Sequence, residues 1–135
     1  MTDRELIYEA LKARENSYCP YSGFSVGAAL LTDDGSVYSG CNIENAAFSP
    51  TNCAERTAIF KAVSEGHVRI SKMAIAGGKK GAAPDSYTYP CGVCRQVMKE
   101  FASDDLEIIV AISEEDYVKK TLKDLLPESF GPENL

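Results

Sequence analysis

The sequence is short of basic residues, of histidine and of long apolar runs, and each shortage excludes something. Lysine and arginine total 14 against 20 aspartate and glutamate, a formal net charge of -6. Nucleic-acid binders ordinarily carry a basic footprint, because phosphate contacts supply most of their affinity. The acidic balance favours a small or neutral partner instead. The longest apolar runs, Val26–Leu31 and Ile108–Ile112, fall far short of the ~20 residues a membrane span needs. No apolar segment follows a basic start in Met1-Thr2-Asp3-Arg4-Glu5, so nothing reads as a secretory signal and a cytoplasmic location is expected. No internal repeat or low-complexity stretch appears. The lone histidine, His67, follows a helix-ending glycine and reads as a surface residue.

What is present is ordinary for a globular chain. The 135 residues are 44% hydrophobic and 25% charged, which predicts one domain, 1–135, with a core large enough to fold without disulfides. Five cysteines cannot all pair internally and read as thiols or metal ligands.

Apolar spacing predicts the order α-β-β-α-β-α-β-β. Thr2 and Glu5 form a capping-box pattern ahead of a helix over about 3–17, with Leu6, Ile7, Ala10 and Leu11 as its apolar stripe. Val26–Leu31 and Val37–Cys41 flank the turn Asp33-Asp34-Gly35 as a hairpin. A second helix starts near Cys53 and stops at Gly66, and a strand covers Ile70–Ala76. The glycine-bearing segment Gly77–Tyr89 reads as a mobile loop. A third helix spans about 91–102, with Val97, Met98 and Phe101 facing inward, and Leu106–Ile112 is a buried strand. Only four residues separate that strand from Tyr117–Thr121, too few for a parallel crossover, so the last two strands are antiparallel. A short helix over about Leu122–Leu126 ends at Pro127. The expected class is α/β, a three-layer α/β/α sandwich around a mixed five-stranded sheet.

The chemistry concentrates in Cys53-Ala54-Glu55 and Pro90-Cys91-Gly92-Val93-Cys94. A lone C-x-x-C is ambiguous between a redox pair and half of a structural zinc site. With Cys53 added, three thiolates make a zinc site with one open position, the layout of a catalytic metal. Zinc so held lowers the pKa of bound water, and Glu55 is placed to exchange a proton with that water. Cys53 and Cys91 both fall where a helix begins, where the helix dipole favours thiolate. Three thiolates and one Zn²⁺ leave an excess negative charge. Arg56 or Arg95 could offset it by hydrogen-bonding sulfur, with Arg56 preferred. A structural zinc would need a fourth ligand, for which Cys19, Cys41 and His67 are the candidates.

This arrangement resembles the zinc deaminase motif in its three-cysteine form. The resemblance extends further. Pro20-Tyr21-Ser22-Gly23-Phe24-Ser25-Val26-Gly27-Ala28-Ala29-Leu30 resembles the N-terminal block of cytidine deaminases. Asn42-Ile43-Glu44-Asn45-Ala46 is similar to their nucleoside-binding loop, and Leu125-Leu126-Pro127-Glu128-Ser129-Phe130 to their C-terminal block. The likeness runs from about residue 7 to 130, and three cysteines in a short chain are similar to the homotetrameric branch.

The resemblance implies one Zn²⁺ per subunit on Cys53, Cys91 and Cys94, with Glu55 as the catalytic acid–base. Phe24 would pack on the pyrimidine, Asn42 and Glu44 would bind the ribose 3′-hydroxyl, and Ala54 would read the base edge. Phe130 would stack on the base in a neighbouring subunit's site. The implied reaction is hydrolytic deamination of cytidine and 2′-deoxycytidine in pyrimidine salvage, by a homotetramer with shared sites and no nucleic-acid or membrane partner. Phe48 and Tyr89 depart from the tyrosine and serine usual in the branch, and the 77–89 loop is longer than common. Three other readings stand beside this one: a deaminase for another cytosine nucleoside such as an aminoacyl-nucleoside antibiotic, a polynucleotide cytidine deaminase, and a zinc-stabilised binding module. The Asn42–Glu44 pair disfavours the first. The acidic charge and the antiparallel final strands disfavour the second.

Overall fold

A computed structural model describes residues 1–135, and its layers follow from where the apolar side chains fall. The first helix, α1 (Asp3–Ala13), is capped by the Thr2 hydroxyl, which accepts the Glu5 N–H at 3.1 Å. Leu6, Ile7 and Ala10 form its fully buried stripe. The chain then tightens into a 3-10 turn over Arg14–Asn16. The strands are β1 (Phe24–Thr32), β2 (Val37–Cys41), β3 (Ile70–Lys79), β4 (Glu107–Ala111) and β5 (Tyr117–Thr121). The remaining helices are α2 (Ala54–Ser64), α3 (Gly92–Phe101) and the single turn α4 (Leu122–Leu125).

The sheet runs β2-β1-β3-β4-β5. Only β3 and β4 are parallel, joined across α3; every other pair, β4 with β5 included, is antiparallel. Alternation along the strands splits the core in two. Ala28, Leu30, Met73, Ile75, Ile108 and Val110 face α2 and α3, while Ala29, Ala74, Ile109 and Ala111 face α1. No helix is long and apolar enough to cross a membrane.

One element differs from the sequence expectation. The segment from Gly77 to Lys79 stays in β3, paired with Val26, Ser25 and Phe24. The glycines there serve close approach and not a turn. A Cβ on Gly77 would lie 2.8 Å from Thr88 Oγ1, and one on Gly78 would lie 2.9 Å from Pro84 Cα. The connection from β3 to α3 is thus shortened to about 80–91, and its Thr88 is drawn back against the sheet.

Two other glycines set how deeply the helices sit. A Cβ on Gly27 would fall 1.9 Å from the Ala10 carbonyl oxygen of α1. On the opposite face, a Cβ on Gly40 would fall 2.6 Å from Ala58 N and 3.0 Å from the Ala54 oxygen of α2. Bare backbone at Gly40 lets α2 lie directly on β2, which fixes the height of that helix's N-terminus above the sheet. Overpacking of this kind costs about 1–3 kcal/mol. Gly40→Ala is therefore expected to lower unfolding free energy by about that amount in urea titrations; an unchanged midpoint would mean that α2 is free to lift.

Candidate active site

Two helix N-termini converge at one end of the α2/α3 layer. Cys53 is the N-cap of α2 and Cys91 the N-cap of α3, each in extended conformation. Cys94 lies in the first turn of α3, and its N–H donates to Cys91 Sγ at 3.4 Å. The Cys53 and Cys91 sulfurs are 3.7 Å apart, those of Cys91 and Cys94 3.4 Å, and all three lie within 4.8 Å of one another. Tetrahedral zinc with Zn–S bonds of about 2.3 Å requires sulfurs about 3.8 Å apart. The three thiols thus fit a zinc ion closely and leave its fourth position to a non-protein ligand. Cys19 sits instead beside Ser17, and His67 pairs with Asp34 at 3.2 Å while its ring packs on Tyr38. Neither belongs to the sulfur cluster.

Charge at the cluster is handled by α2 itself. Arg56 Nη2 donates to Cys53 Sγ at 3.3 Å. The hydrogen bond from Cys94, together with those from Arg56 and Cys91, holds the Cys53 thiol well below its ordinary range. Cys94, as the proton donor to Cys53 and a buried group, is pushed up. Arg95 donates instead to the Pro90 and Leu125 carbonyls at 2.7 Å each. It ties the start of α3 to the C-terminal segment. Arg56 Nε is buried with no hydrogen-bond partner.

Glu55 follows the first ligand in the first turn of α2 and is only 4% exposed. Burial pushes its carboxyl up to about 7, and the Cys53 charge adds to the effect. Such a group exchanges protons readily near neutral pH. It faces a cavity of about 320 Å³ lined also by Cys53, Cys91, Ala54, Phe24, Asn42 and Glu44, a volume in the range of small-molecule sites.

The loop residues there are pinned by backbone. Asn42 Oδ1 accepts the Val26 N–H at 2.9 Å and its Nδ2 donates to the Phe24 carbonyl at 2.8 Å, so its amide extends the edge of β1. Glu44 Oε1 accepts the N–H groups of Tyr21 and Ser22 at 3.0 and 3.1 Å. Its Oε2 accepts the Ser22 hydroxyl. Phe24 is partly exposed at the mouth, with its ring over Gly77.

Of the residues singled out from sequence, the fold gathers Cys53, Cys91, Cys94, Ala54, Glu55, Phe24, Asn42 and Glu44 around one cavity, with Arg56 behind it. Phe130 stands apart: it is 61% exposed, and its carbonyl accepts from Gln96 Nε2 at 2.9 Å. Ser22, Val26, Thr51, Asn52 and Thr88 also line the cavity. Thr51 and Asn52 reach the wall as the residues leading into Cys53, whereas nothing in local sequence marks Thr88, which the return of the chain against Gly77 brings there. Tyr89, one of the departures from the family pattern, also lines the wall.

Comparison with known proteins agrees with this geometry. A family model for the cytidine and deoxycytidylate deaminase zinc-binding region matches residues 1–110. The chain is 47% identical to a cytidine deaminase of Sporosarcina psychrophila over its whole length, covering 96% of that protein. It is 48% identical to a cytidine deaminase of Halalkalibacterium halodurans, with 98% of each chain aligned. The crystal structure of cytidine deaminase from Burkholderia pseudomallei superimposes with a TM-score of 0.86 at 44% identity, covering 96% of this chain and all of that one. That from Mycobacterium tuberculosis gives 0.82 at 39% identity, covering 97% and 99%.

The Arg56–sulfur contact makes a measurable prediction. In chelator-treated protein, Arg56→Gln is expected to raise the pH of half-maximal Cys53 alkylation by roughly 1–2 units, because a nearby cation favours the thiolate by that much. An unchanged midpoint would show that Arg56 does not tune the sulfur.

Proposed function

The chain belongs to the cytidine and deoxycytidylate deaminase family, and on that premise we propose how its own residues carry the hydrolytic deamination of cytidine and 2′-deoxycytidine. The products are uridine or 2′-deoxyuridine and ammonia. The observation that carries the reading is the placement of a buried carboxyl, Glu55, beside three clustered sulfurs on a nucleoside-sized cavity.

Cys53, Cys91 and Cys94 would hold the zinc, which when bound would supply Lewis acidity near neutral pH. Glu55 moves the protons. It takes one proton from the attacking water and delivers it to N3 of the pyrimidine as the water oxygen bonds to C4; it then moves the proton of the new C4 hydroxyl to the amino group, so that the C4–N bond breaks, C4=O forms and ammonia leaves. The Ala54 backbone and the Glu55 carboxyl read the base edge, and Phe24 packs on the ring. Asn42 and Glu44 meet the ribose 3′-hydroxyl, an amide donor beside a carboxylate acceptor. The spare proton of Asn42 Nδ2 is the one left for the sugar, since its other proton is bound to Phe24.

The whole chain is read as a single domain acting in the cytoplasm in pyrimidine salvage. Its acidic balance supports free nucleosides over polynucleotides as substrates. Exposed apolar side chains support an assembly of copies: Tyr21 and Phe48 line one surface hollow, and Phe130 is 61% exposed. We read the assembly as a homotetramer in which Phe130 of one copy closes the base subsite of another.

Three outcomes test the reading. Glu55→Ala should lose at least ~10²–10⁴-fold in kcat, the usual worth of one acid–base group, while zinc content by atomic absorption stays at one per chain. Cytidine turnover followed by ultraviolet absorbance at a near wild-type rate would overturn the role of Glu55. Sedimentation of the active enzyme should give four times the chain mass, and Phe130→Ala should raise KM with zinc retained. An active monomer would overturn the shared site.

A further inference from the structure

The Pro20–Gly23 turn is built around one carboxylate. Gly23 N–H closes it onto the Cys19 carbonyl at 2.9 Å, and Gly23 itself sits at φ 70°, where glycine is favoured. The turn aims two successive N–H groups, of Tyr21 and Ser22, at the same oxygen, Glu44 Oε1. Consecutive backbone donors of this kind form an anion nest. The Ser22 hydroxyl adds a third donor, to Glu44 Oε2, and these contacts favour the ionised carboxylate.

That hydroxyl has a single proton, and Glu44 takes it. One of its lone pairs accepts the Phe24 N–H at 3.0 Å. Ser22 therefore has no proton left for a ligand, although it lines the cavity. Its oxygen joins the backbone of the aromatic residue at the cavity mouth to the second oxygen of Glu44. With Oε1 held by two N–H groups and Oε2 by the hydroxyl, the carboxylate plane cannot rotate, and its unused lone pairs keep a fixed direction.

We propose that Ser22 is a positioning residue for substrate selection: its hydroxyl locks the Glu44 carboxylate in the orientation that accepts a sugar hydroxyl, and ties that orientation to Phe24. The inference rests on the reading of Glu44 as the ribose contact. Ser22→Ala keeps the two N–H bonds to Oε1 and frees Oε2 to swing. One well-placed hydrogen bond to a charged group is worth roughly tenfold or more in binding.

The experiment compares cytidine with 3′-deoxycytidine on the zinc-loaded enzyme, using wild type, Ser22→Ala and Ser22→Thr. Wild type should prefer cytidine. In Ser22→Ala, KM for cytidine should rise roughly tenfold with kcat changed less than about threefold, and most of the preference over 3′-deoxycytidine should vanish. Ser22→Thr, which keeps the hydroxyl, should restore the preference. Thermal unfolding and zinc content are read in parallel. A general structural defect would lower kcat/KM for both nucleosides equally, and that result overturns the proposal. If wild type prefers cytidine and Ser22→Ala keeps the full preference, Ser22 alone is wrong. A wild type indifferent to the 3′-hydroxyl overturns the Glu44 reading and this proposal with it.

Discussion

Three sulfurs that repel one another as thiolates must be held within a few ångströms, and the rest of the structure is arranged around that constraint. Two helix N-termini meet there, so the unpaired N–H groups and positive dipole ends of α2 and α3 face the cluster. Arg56 adds a full positive charge at 3.3 Å from Cys53. A divalent cation held there would complete the balance. Without these positive contributions, the proximity of Cys53, Cys91 and Cys94 would drive protons onto the sulfurs, and no ligand set would exist.

Convergence of two helices demands precise heights over the sheet. The bare backbone of Gly40 brings α2 onto β2, and Ala54 and Ala58 are fully buried along that contact. Arg95 fastens the start of α3 to the Pro90 and Leu125 carbonyls. The parallel pairing of β3 and β4 requires a long crossover, and α3 is that crossover. The same topology that satisfies the sheet therefore delivers Cys91 and Cys94 to the N-terminus of α2.

The same economy appears where Asn42 and Glu44 line the cavity. Asn42 and Glu44 are each held by backbone groups of a neighbouring segment, β1 for one and the 20–23 turn for the other. Their polar atoms are largely committed before any ligand arrives, so the free donors and acceptors point in few directions. Preorganisation of this kind favours selectivity, because an analogue that leaves such groups unpaired is penalised.

Local pattern made much of this legible. The α1 stripe, the hairpin around Gly35, the C-x-x-C at a helix start and the four-residue link that forces β4 and β5 antiparallel all rest on short-range rules. Such rules hold because capping, turn geometry and loop length act within a few residues. The glycines of Gly77–Lys79 were illegible by those rules, since glycine in a strand that passes close to Thr88 looks like glycine in a loop. The position of Thr88 against the sheet, the diversion of Arg95 to the Leu125 carbonyl and the seat of Glu44 in the 20–23 turn depend on which distant segments meet. Residue types and their spacing determined that this chain could hold a metal and move a proton. Tertiary packing alone decided how deeply Glu55 is buried and which segments wall the cavity in front of it, because both depend on contacts between segments far apart in the chain.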